Sequence, residues 1–177
     1  MEHLSFRDIK EIMRSKCITQ HTVVGLEGGE FLLHPEADAI MEWFKENHPK
    51  YTLLSNCLSP QKVIDAVRKF QPAHLYVSLD GNKETYKNMR GCNGHDKVME
   101  VVKAVKDVIP VSLMFCLSPW NTFSDMQYVI DIAKDYGIDV RIGIYGTMDF
   151  FDTKAELLSV DFANYIQSIP QNIHETE

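Results

Sequence analysis

Five short apolar runs, separated by amphipathic segments, constrain the fold of this 177-residue chain more than any other feature. Most of the runs are continuously apolar and rich in strand-favouring residues, which is typical of strands buried on both faces of a parallel sheet. The runs lie at residues 22–26, 51–54, 75–79, 111–115 and 140–144.

Helical periodicity fills the segments between these runs. It is clearest in residues 95–108, where Val98, Val101 and Val105 fall on one stripe and charged residues lie off it. Ser59 before Pro60 is a typical helix start, and either Asn121 or Ser124 is a candidate cap for a later helix. The predicted helices span residues 35–47, 60–70, 95–108 and 123–136.

Strand and helix alternate every 25 to 35 residues or so, which favours right-handed βαβ units and an α/β fold with a parallel sheet. The pattern alone leaves open whether the sheet is doubly wound or forms a whole or partial β/α barrel. Both architectures bind ligands at the carboxyl ends of the strands, so candidate functional residues are sought there.

The chain is expected to form one domain, with a core at residues 1–148 and a C-terminal extension at 149–177. Residues 5–15 are predicted to form a helix that no strand precedes, and residues 154–168 a weak helix before a polar end. A core that opens on a helix without its partner strand is expected to be part of something longer. Such a sheet would have an unpaired edge, which predicts a possible edge-strand dimer.

Composition narrows the class of partner. The net charge of -7 gives no electrostatic basis for binding nucleic acid or an anionic membrane surface. No run approaches the roughly 20 apolar residues of a spanning helix, so a cytoplasmic protein acting on a peptide or a small molecule is expected. The cysteines at positions 17, 57, 92 and 116 lie too far apart for a local metal site and are expected to be reduced, mostly buried thiols.

Gly28-Gly29-Glu30 follows the first predicted strand. Two glycines allow a tight turn and a close approach to a ligand, and the carboxylate behind them can accept hydrogen bonds from an amine. Taken alone, the triplet favours an ordinary strand-to-helix turn with a solvated glutamate over a binding site.

A second motif follows about fifty residues later, in which Ser78 and Asp80-Gly81 end a strand and Arg90-Gly91 comes nine residues on. In this order, the two motifs resemble the radical S-adenosylmethionine (SAM) enzymes, especially the branch with SPASM-type extensions that includes sulfatase-maturing and peptide-modifying enzymes. The resemblance covers residues 4–148. It implies a partial (β/α)6 TIM-barrel-like core that lacks its first strand.

By this resemblance, Gly28, Gly29 and Glu30 would hold the amino group of SAM, and Ser78 and Arg90 its carboxylate and ribose region. For Arg90 the alternative is a surface ion pair, and Asp80 is expected to shape the turn. Phe31 stands where the family usually has proline.

Two further positions are assigned by the same resemblance. Asn56 lies in Ser55-Asn56-Cys57, where the family often has Thr-Asn-Gly, and its role is either in the site or in helix capping. Ile144, which shares a strand face with Ile142, matches a position that packs against adenine, although core packing is the stronger interpretation.

The sequence departs from the family in one decisive respect. Family members hold a [4Fe-4S] cluster on three cysteines spaced C-x3-C-x2-C, reduce SAM there and use the resulting 5'-deoxyadenosyl radical to take hydrogen from substrate. This chain has no such triplet, so no metal ligand or catalytic residue is assigned and the chain alone is expected to be inactive. Three explanations remain open: part of a longer radical SAM enzyme, a cluster-free SAM- or nucleotide-binding module, or an unrelated α/β enzyme using His34, His74 or His95.

Overall fold

The computed structural model describes residues 3–144. The predicted C-terminal extension, with its weak helix, lies outside the described residues.

Five parallel strands form one sheet, as predicted, and their order in the sheet follows their order in the chain. A doubly wound sheet reverses direction at a switch point, whereas a barrel adds each strand next to the previous one. The sequential order therefore gives an α/β architecture of the partial-barrel kind. The strands are β1 (Val24–Leu26), β2 (Tyr51–Ser55), β3 (His74–Ser78), β4 (Val111–Leu117) and β5 (Asp139–Ile144).

Six helices and one 3₁₀ turn connect the strands within the described residues. Five of the helices match predicted segments, but the helix that ends at Arg90 was predicted only as a turn. It is short and polar, and Tyr86 is its one buried residue. The helices are α1 (Phe6–Met13), α2 (Ala37–Asn47), α3 (Pro60–Phe70), α4 (Lys83–Arg90), α5 (His95–Val105) and α6 (Phe123–Tyr136), and the 3₁₀ turn spans Phe31–Leu33.

Helix starts follow local side-chain chemistry. Ser5 and Asp8 form a reciprocal capping box at the start of α1. A second capping box joins Thr122 and Asp125 at the start of α6, so the prediction that Asn121 or Ser124 caps this helix is wrong. Ser59 precedes Pro60 at the start of α3 as predicted, but its side chain makes no capping hydrogen bond.

The sheet has two unlike faces. On β3, Leu75 and Val77 are fully buried among helix residues, whereas Tyr76 and its strand neighbours on the opposite face are half-buried. In a parallel sheet, the side chains of paired residues point to the same face. The register therefore shows which residues of the other strands share a face with Leu75 or with Tyr76. We call the side that carries Leu75 and Val77 the helix-covered face, and the opposite side the inner face, which carries Thr52, Leu54, His74, Tyr76, Ser78, Ser112, Met114, Cys116 and Arg141.

Strand β5 departs from the expected burial. Ile142 and Ile144 pair with Phe115 and Leu117 and so lie on the helix-covered face, yet they are 50% and 56% exposed. The expectation that they pack into the core is therefore wrong for the described residues. The expectation of mostly buried thiols is also wrong, since only Cys57 is fully buried and Cys17 is exposed.

At the other edge, β1 pairs only with β2 among the described residues, and the edge-strand dimer stays a prediction. None of the helices between residues 3 and 144 is long and apolar enough to cross a membrane.

Candidate functional site

The predicted binding residues converge on one edge of the sheet. Glu30 follows β1, Asn56 follows β2, and Ser78 ends β3. Since all strands run the same way, their carboxyl ends meet at this edge. Arg90, the last residue of α4, is brought to it by a hydrogen-bonded ion pair with Asp80.

The turn after β1 depends on its glycines for backbone shape. Gly28 and Gly29 have φ values of 92° and 38°, and a Cβ atom on either would meet no heavy atom of residues 3–144 within 4 Å. Other residues adopt this left-handed region at a cost of about 1–2 kcal/mol. The glycines are thus required by conformation, while the space beside them is free for a ligand to approach the backbone.

Glu30 is only half satisfied. Its Oε2 atom accepts hydrogen bonds from the Asn56 backbone N–H at 2.8 Å and from the Ser55 hydroxyl at 3.1 Å. Its Oε1 atom is buried and has no hydrogen-bond partner among the described residues. A buried polar atom without a partner costs about 1–3 kcal/mol, and more when charged. A cationic amine would remove that cost, so the carboxylate is compatible with the amino group that the family resemblance implies for it.

A small cavity of about 90 Å³ lies beside Glu30, between the turn and the start of α3. At about 10–15 Å³ for each water-sized occupant, it has room for a small polar group and not for a nucleoside. The lining residues besides Glu30 are Leu32, Leu33, Ser55, Asn56, Leu58, Ser59, Lys62 and Val63.

Asn56 shapes the turn between β2 and α3. Its Oδ1 accepts from the Leu58 N–H at 2.9 Å while its own N–H holds Glu30. The next residue, Cys57, has a φ of 58° in the position where the family often has glycine. Burial raises the pKa of the Cys57 thiol to about 12, so this thiol is protonated and does not act as a ligand or nucleophile in that state.

Arg90 forms an ion pair, but with a buried partner rather than a surface one. The Asp80 side chain is 3% exposed, and its Oδ2 accepts from Arg90 Nε at 2.7 Å and also from a terminal guanidinium nitrogen. Asp80 Oδ1 accepts from the Cys116 N–H at 3.3 Å, and the Asp80 carbonyl accepts from Asn121. Asp80 therefore fixes Arg90 against the ends of β3 and β4. The Arg90 side chain remains 35% exposed, with further N–H donors for a ligand.

Two predicted residues have less defined roles. Ser78 ends β3 on the inner face, and within residues 3–144 its hydroxyl makes no hydrogen bond. Ile144 lies on the other face of the sheet from Ser78, by the register of β3, β4 and β5. Contact of either residue with SAM stays a prediction.

Sequence reasoning missed a hydrogen-bonded carboxylate behind this edge. Asp125 is 5% exposed and accepts from Asn82, Thr85 and Thr122. The spacing Thr122-x-x-Asp125 was the available signal, because it is the spacing of a capping box. The bonds from Asn82 and Thr85 come from residues about forty positions away and had no local signal.

The three histidines considered for acid–base chemistry each have a structural partner and do not come together at this edge. His34 bonds to the Leu4 carbonyl, His74 to Ser112 and His95 to Tyr128. Residues 3–144 also hold no group of three side chains able to bind a metal ion, so they do not fit an iron–sulfur cluster.

Similar solved structures share this fold. SuiB from Streptococcus suis is 15% identical with a TM-score of 0.66, over 83% of this chain and 35% of its own. TYW1 with a lysine-pyruvate adduct bound is 18% identical with a TM-score of 0.60, over 86% of this chain and 48% of its own. Coproporphyrinogen III oxidase (HemN) from Escherichia coli is 12% identical with a TM-score of 0.53, over 75% of this chain and 36% of its own.

The chain therefore spans between a third and a half of the length of these structural relatives. No curated protein sequence matches it. The sequence profile of the Radical SAM superfamily matches residues 1–126, and these residues include the whole Gly28–Arg90 site. The chain belongs to the Radical SAM superfamily.

Proposed function

We propose that this chain supplies the SAM-binding strand ends of a radical SAM enzyme and works as part of a longer polypeptide. That enzyme would cleave SAM reductively to the 5'-deoxyadenosyl radical, which takes a hydrogen atom from a peptide or small-molecule substrate. The observation that carries the proposal is Oε1 of Glu30, which is buried beside a glycine turn and has no hydrogen-bond partner in the described part of the chain.

The methionine part of SAM carries an ammonium and a carboxylate group. The edge of the sheet where the strands end has a carboxylate for the first and a guanidinium for the second. Glu30 accepts from the ammonium group with Oε1, the oxygen that has no partner within residues 3–144. Arg90, oriented by Asp80, offers its remaining guanidinium donors to the carboxylate. Ser78 offers to the ribose region a hydroxyl that makes no hydrogen bond to any described residue.

The [4Fe-4S] cluster of the family would have to be held by residues outside those described. When bound, such a cluster supplies the electron that cleaves SAM. Within this chain, Glu30, Ser78 and Arg90 bind and orient SAM. A peptide substrate is supported by the SuiB structure with a bound precursor peptide. We place the enzyme in the cytoplasm, where thiols stay reduced.

SAM binding to the 177-residue chain tests the site directly by titration calorimetry. Glu30→Gln and Arg90→Lys should each weaken binding about tenfold or more, because each removes a charge-assisted hydrogen bond or its planar geometry. The exposed Glu42→Gln and Arg68→Lys are the matched controls and should bind as the unchanged chain does. Equal affinity in all five proteins would overturn the proposed site.

The radical reaction is tested on the natural polypeptide together with its upstream sequence. If that sequence carries the three-cysteine motif, anaerobic reconstitution with iron and sulfide should give a brown protein that converts SAM to 5'-deoxyadenosine. A cysteine-containing polypeptide that does neither contradicts the radical function. Binding of SAM without any iron-dependent cleavage would instead favour the cluster-free binding module, for which the absence of cluster ligands among residues 3–144 is the supporting observation.

A further inference from the structure

Arg141 is held in a stack of planar groups on the inner face of the sheet. Its guanidinium carbon lies 4.3 Å from the centroid of the Tyr76 ring. The Tyr76 ring also stacks on His74 with a centroid distance of 4.4 Å and an interplanar angle of 23°. The guanidinium group thus lies over the Tyr76 ring, and its N–H groups make no hydrogen bond within residues 3–144.

The stack reaches across a strand. Tyr76 is on β3 and Arg141 on β5, with Ser112 and Met114 of β4 between them. The Ser112 hydroxyl and His74 Nε2 form a hydrogen bond of 2.7 Å, which fixes the His74 ring against β4.

No acidic side chain neutralises Arg141 within residues 3–144. Arg141 makes no ion pair there, and Asp139, on the same face one step nearer the start of β5, lies beyond ion-pair distance. Burial and the Arg141 charge together lower the pKa of His74, so His74 is neutral at pH 7 and adds no second cation. The guanidinium is the one described cation in this stack.

Arg141 lies level with the predicted SAM-binding strand end. Ser78 pairs with Met114, and Met114 pairs with Arg141, so the three residues form a row across the sheet. Two strand spacings place Arg141 about 10 Å from Ser78. A group bound to Arg141 would therefore lie on the same face as a nucleoside bound at Ser78 and next to it.

We propose that the Arg141–Tyr76 pair binds a carboxylate of the substrate. This inference rests on the proposed function and deepens it, since it names a carboxylate-bearing substrate whose C–H bond is presented beside SAM. A carboxylate matches the planar fork of a guanidinium with two parallel hydrogen bonds. An acidic side chain and a free C-terminus share this chemistry, and the experiment separates them.

The test is a titration of the isotope-labelled 177-residue chain, followed by NMR of the arginine Nε–H groups and the Tyr76 ring. The probes are acetyl-Gly-Glu-Gly-amide, acetyl-Gly-Gln-Gly-amide and acetyl-Gly-Gln-Gly with a free C-terminus. The Arg141 and Tyr76 signals should move with the first or third probe, and binding of the second should be about tenfold weaker. The ratio between the first and third probes tells which carboxylate is preferred.

Substitutions show whether binding needs both Arg141 and Tyr76 or only an exposed arginine. Arg141→Lys and Tyr76→Leu should both weaken binding of the acidic probe, whereas Tyr76→Phe, which keeps the ring, and Arg68→Lys should not. The proposal is overturned if neither carboxylate probe binds more tightly than acetyl-Gly-Gln-Gly-amide, or if Tyr76→Leu has no effect. SAM added alone reports on the Gly29 and Arg90 signals. If SAM moves Arg141 as strongly as the peptide does, Arg141 belongs to the SAM site and the proposal is wrong. If SAM moves nothing while the acidic probe still binds, the proposed function fails and the carboxylate site stands.

Discussion

Two carboxylates at the same edge of the sheet are treated in opposite ways by the protein. Asp125 receives hydrogen bonds on both oxygens, from Asn82 and Thr85 on Oδ1 and from the Thr122 N–H and hydroxyl on Oδ2. Glu30 receives them on one oxygen only, and its second oxygen is buried without a partner among the described residues.

This difference distinguishes a carboxylate that stabilises the fold from one that is available to bind a ligand. A carboxylate with every acceptor site filled joins the segments around it and has little capacity for a ligand. A carboxylate fixed by one oxygen keeps the other in place for an incoming donor, at a cost in stability to the free protein. Asp125 should therefore matter for folding and Glu30 for binding.

Removing Asp125 gives the largest expected loss of stability. Asp125→Ala removes one half of the capping box of α6 and leaves the donors of Asn82, Thr85 and Thr122 without their acceptor, so the free energy of unfolding should fall by about 3 kcal/mol. Glu30→Ala should cost only about 1 kcal/mol, because just two donors lose an acceptor. Urea unfolding followed by circular dichroism measures both, and equal losses would break the distinction.

Alanine in place of the glycine near Asp125 should destabilise the protein more than alanine in place of a glycine near Glu30. An alanine Cβ at Gly81, whose φ is 144°, would lie 2.7 Å from Asp125 Oδ1. Gly81→Ala should therefore cost about 2–3 kcal/mol through strain and overpacking. Gly28→Ala meets no atom within 4 Å and should cost only the backbone term of about 1–2 kcal/mol. A Gly28→Ala variant less stable than Gly81→Ala in thermal unfolding would contradict this order.

Glu30→Gln should show binding loss without much loss of stability. The glutamine oxygen can still accept from Asn56 and Ser55, so the unfolding free energy should change by less than about 1 kcal/mol. The negative charge is gone, and affinity for SAM should fall about tenfold or more. Parallel urea unfolding and calorimetry separate the two effects, and a stability loss equal to that of Asp125→Ala would identify Glu30 as a structural residue.

Protonation of Asp125 should contribute to the loss of folding stability at low pH. Burial by itself would raise the pKa of its carboxyl, but hydrogen bonds from Thr85, Thr122 and Asn82 together hold the pKa below the ordinary value of 3.8. The unfolded chain then binds the proton more readily, so this stabilisation is complete above that value and is lost as pH falls through the folded-state pKa. Asp125→Asn should flatten the fall in urea midpoint below about pH 4, whereas the exposed Asp131→Asn should not. An unchanged acid dependence in Asp125→Asn would contradict the assignment.

The smallest expected effect belongs to Cys57, which lies next to the turn that holds Glu30. Cys57→Gly relieves the cost of a φ of 58°, about 1 kcal/mol, but gives up a fully buried side chain of similar worth. The net change in unfolding free energy should stay within about 1 kcal/mol. A large destabilisation would show that packing by the thiol outweighs backbone strain at this turn.

Local patterns in the sequence were enough to predict the strand and helix alternation and the parallel sheet. The period of apolar residues is set by the geometry of each element, so it can be read within a short window. The same window exposes Gly28-Gly29-Glu30 at a strand end. It failed for α4, since a polar helix with one buried residue has no apolar stripe to detect.

The tertiary structure decided which atoms are satisfied and which are left for a ligand. Glu30 meets Asn56 across 26 residues, Arg90 meets Asp80 rather than a surface acid, and Arg141 reaches Tyr76 across an intervening strand. Strand register also placed Ile144 on the opposite face from Ser78. These pairings depend on register and on helix placement over the whole sheet, whereas the sequence by itself indicated the five strands, five of the six described helices and the parallel arrangement of the strands.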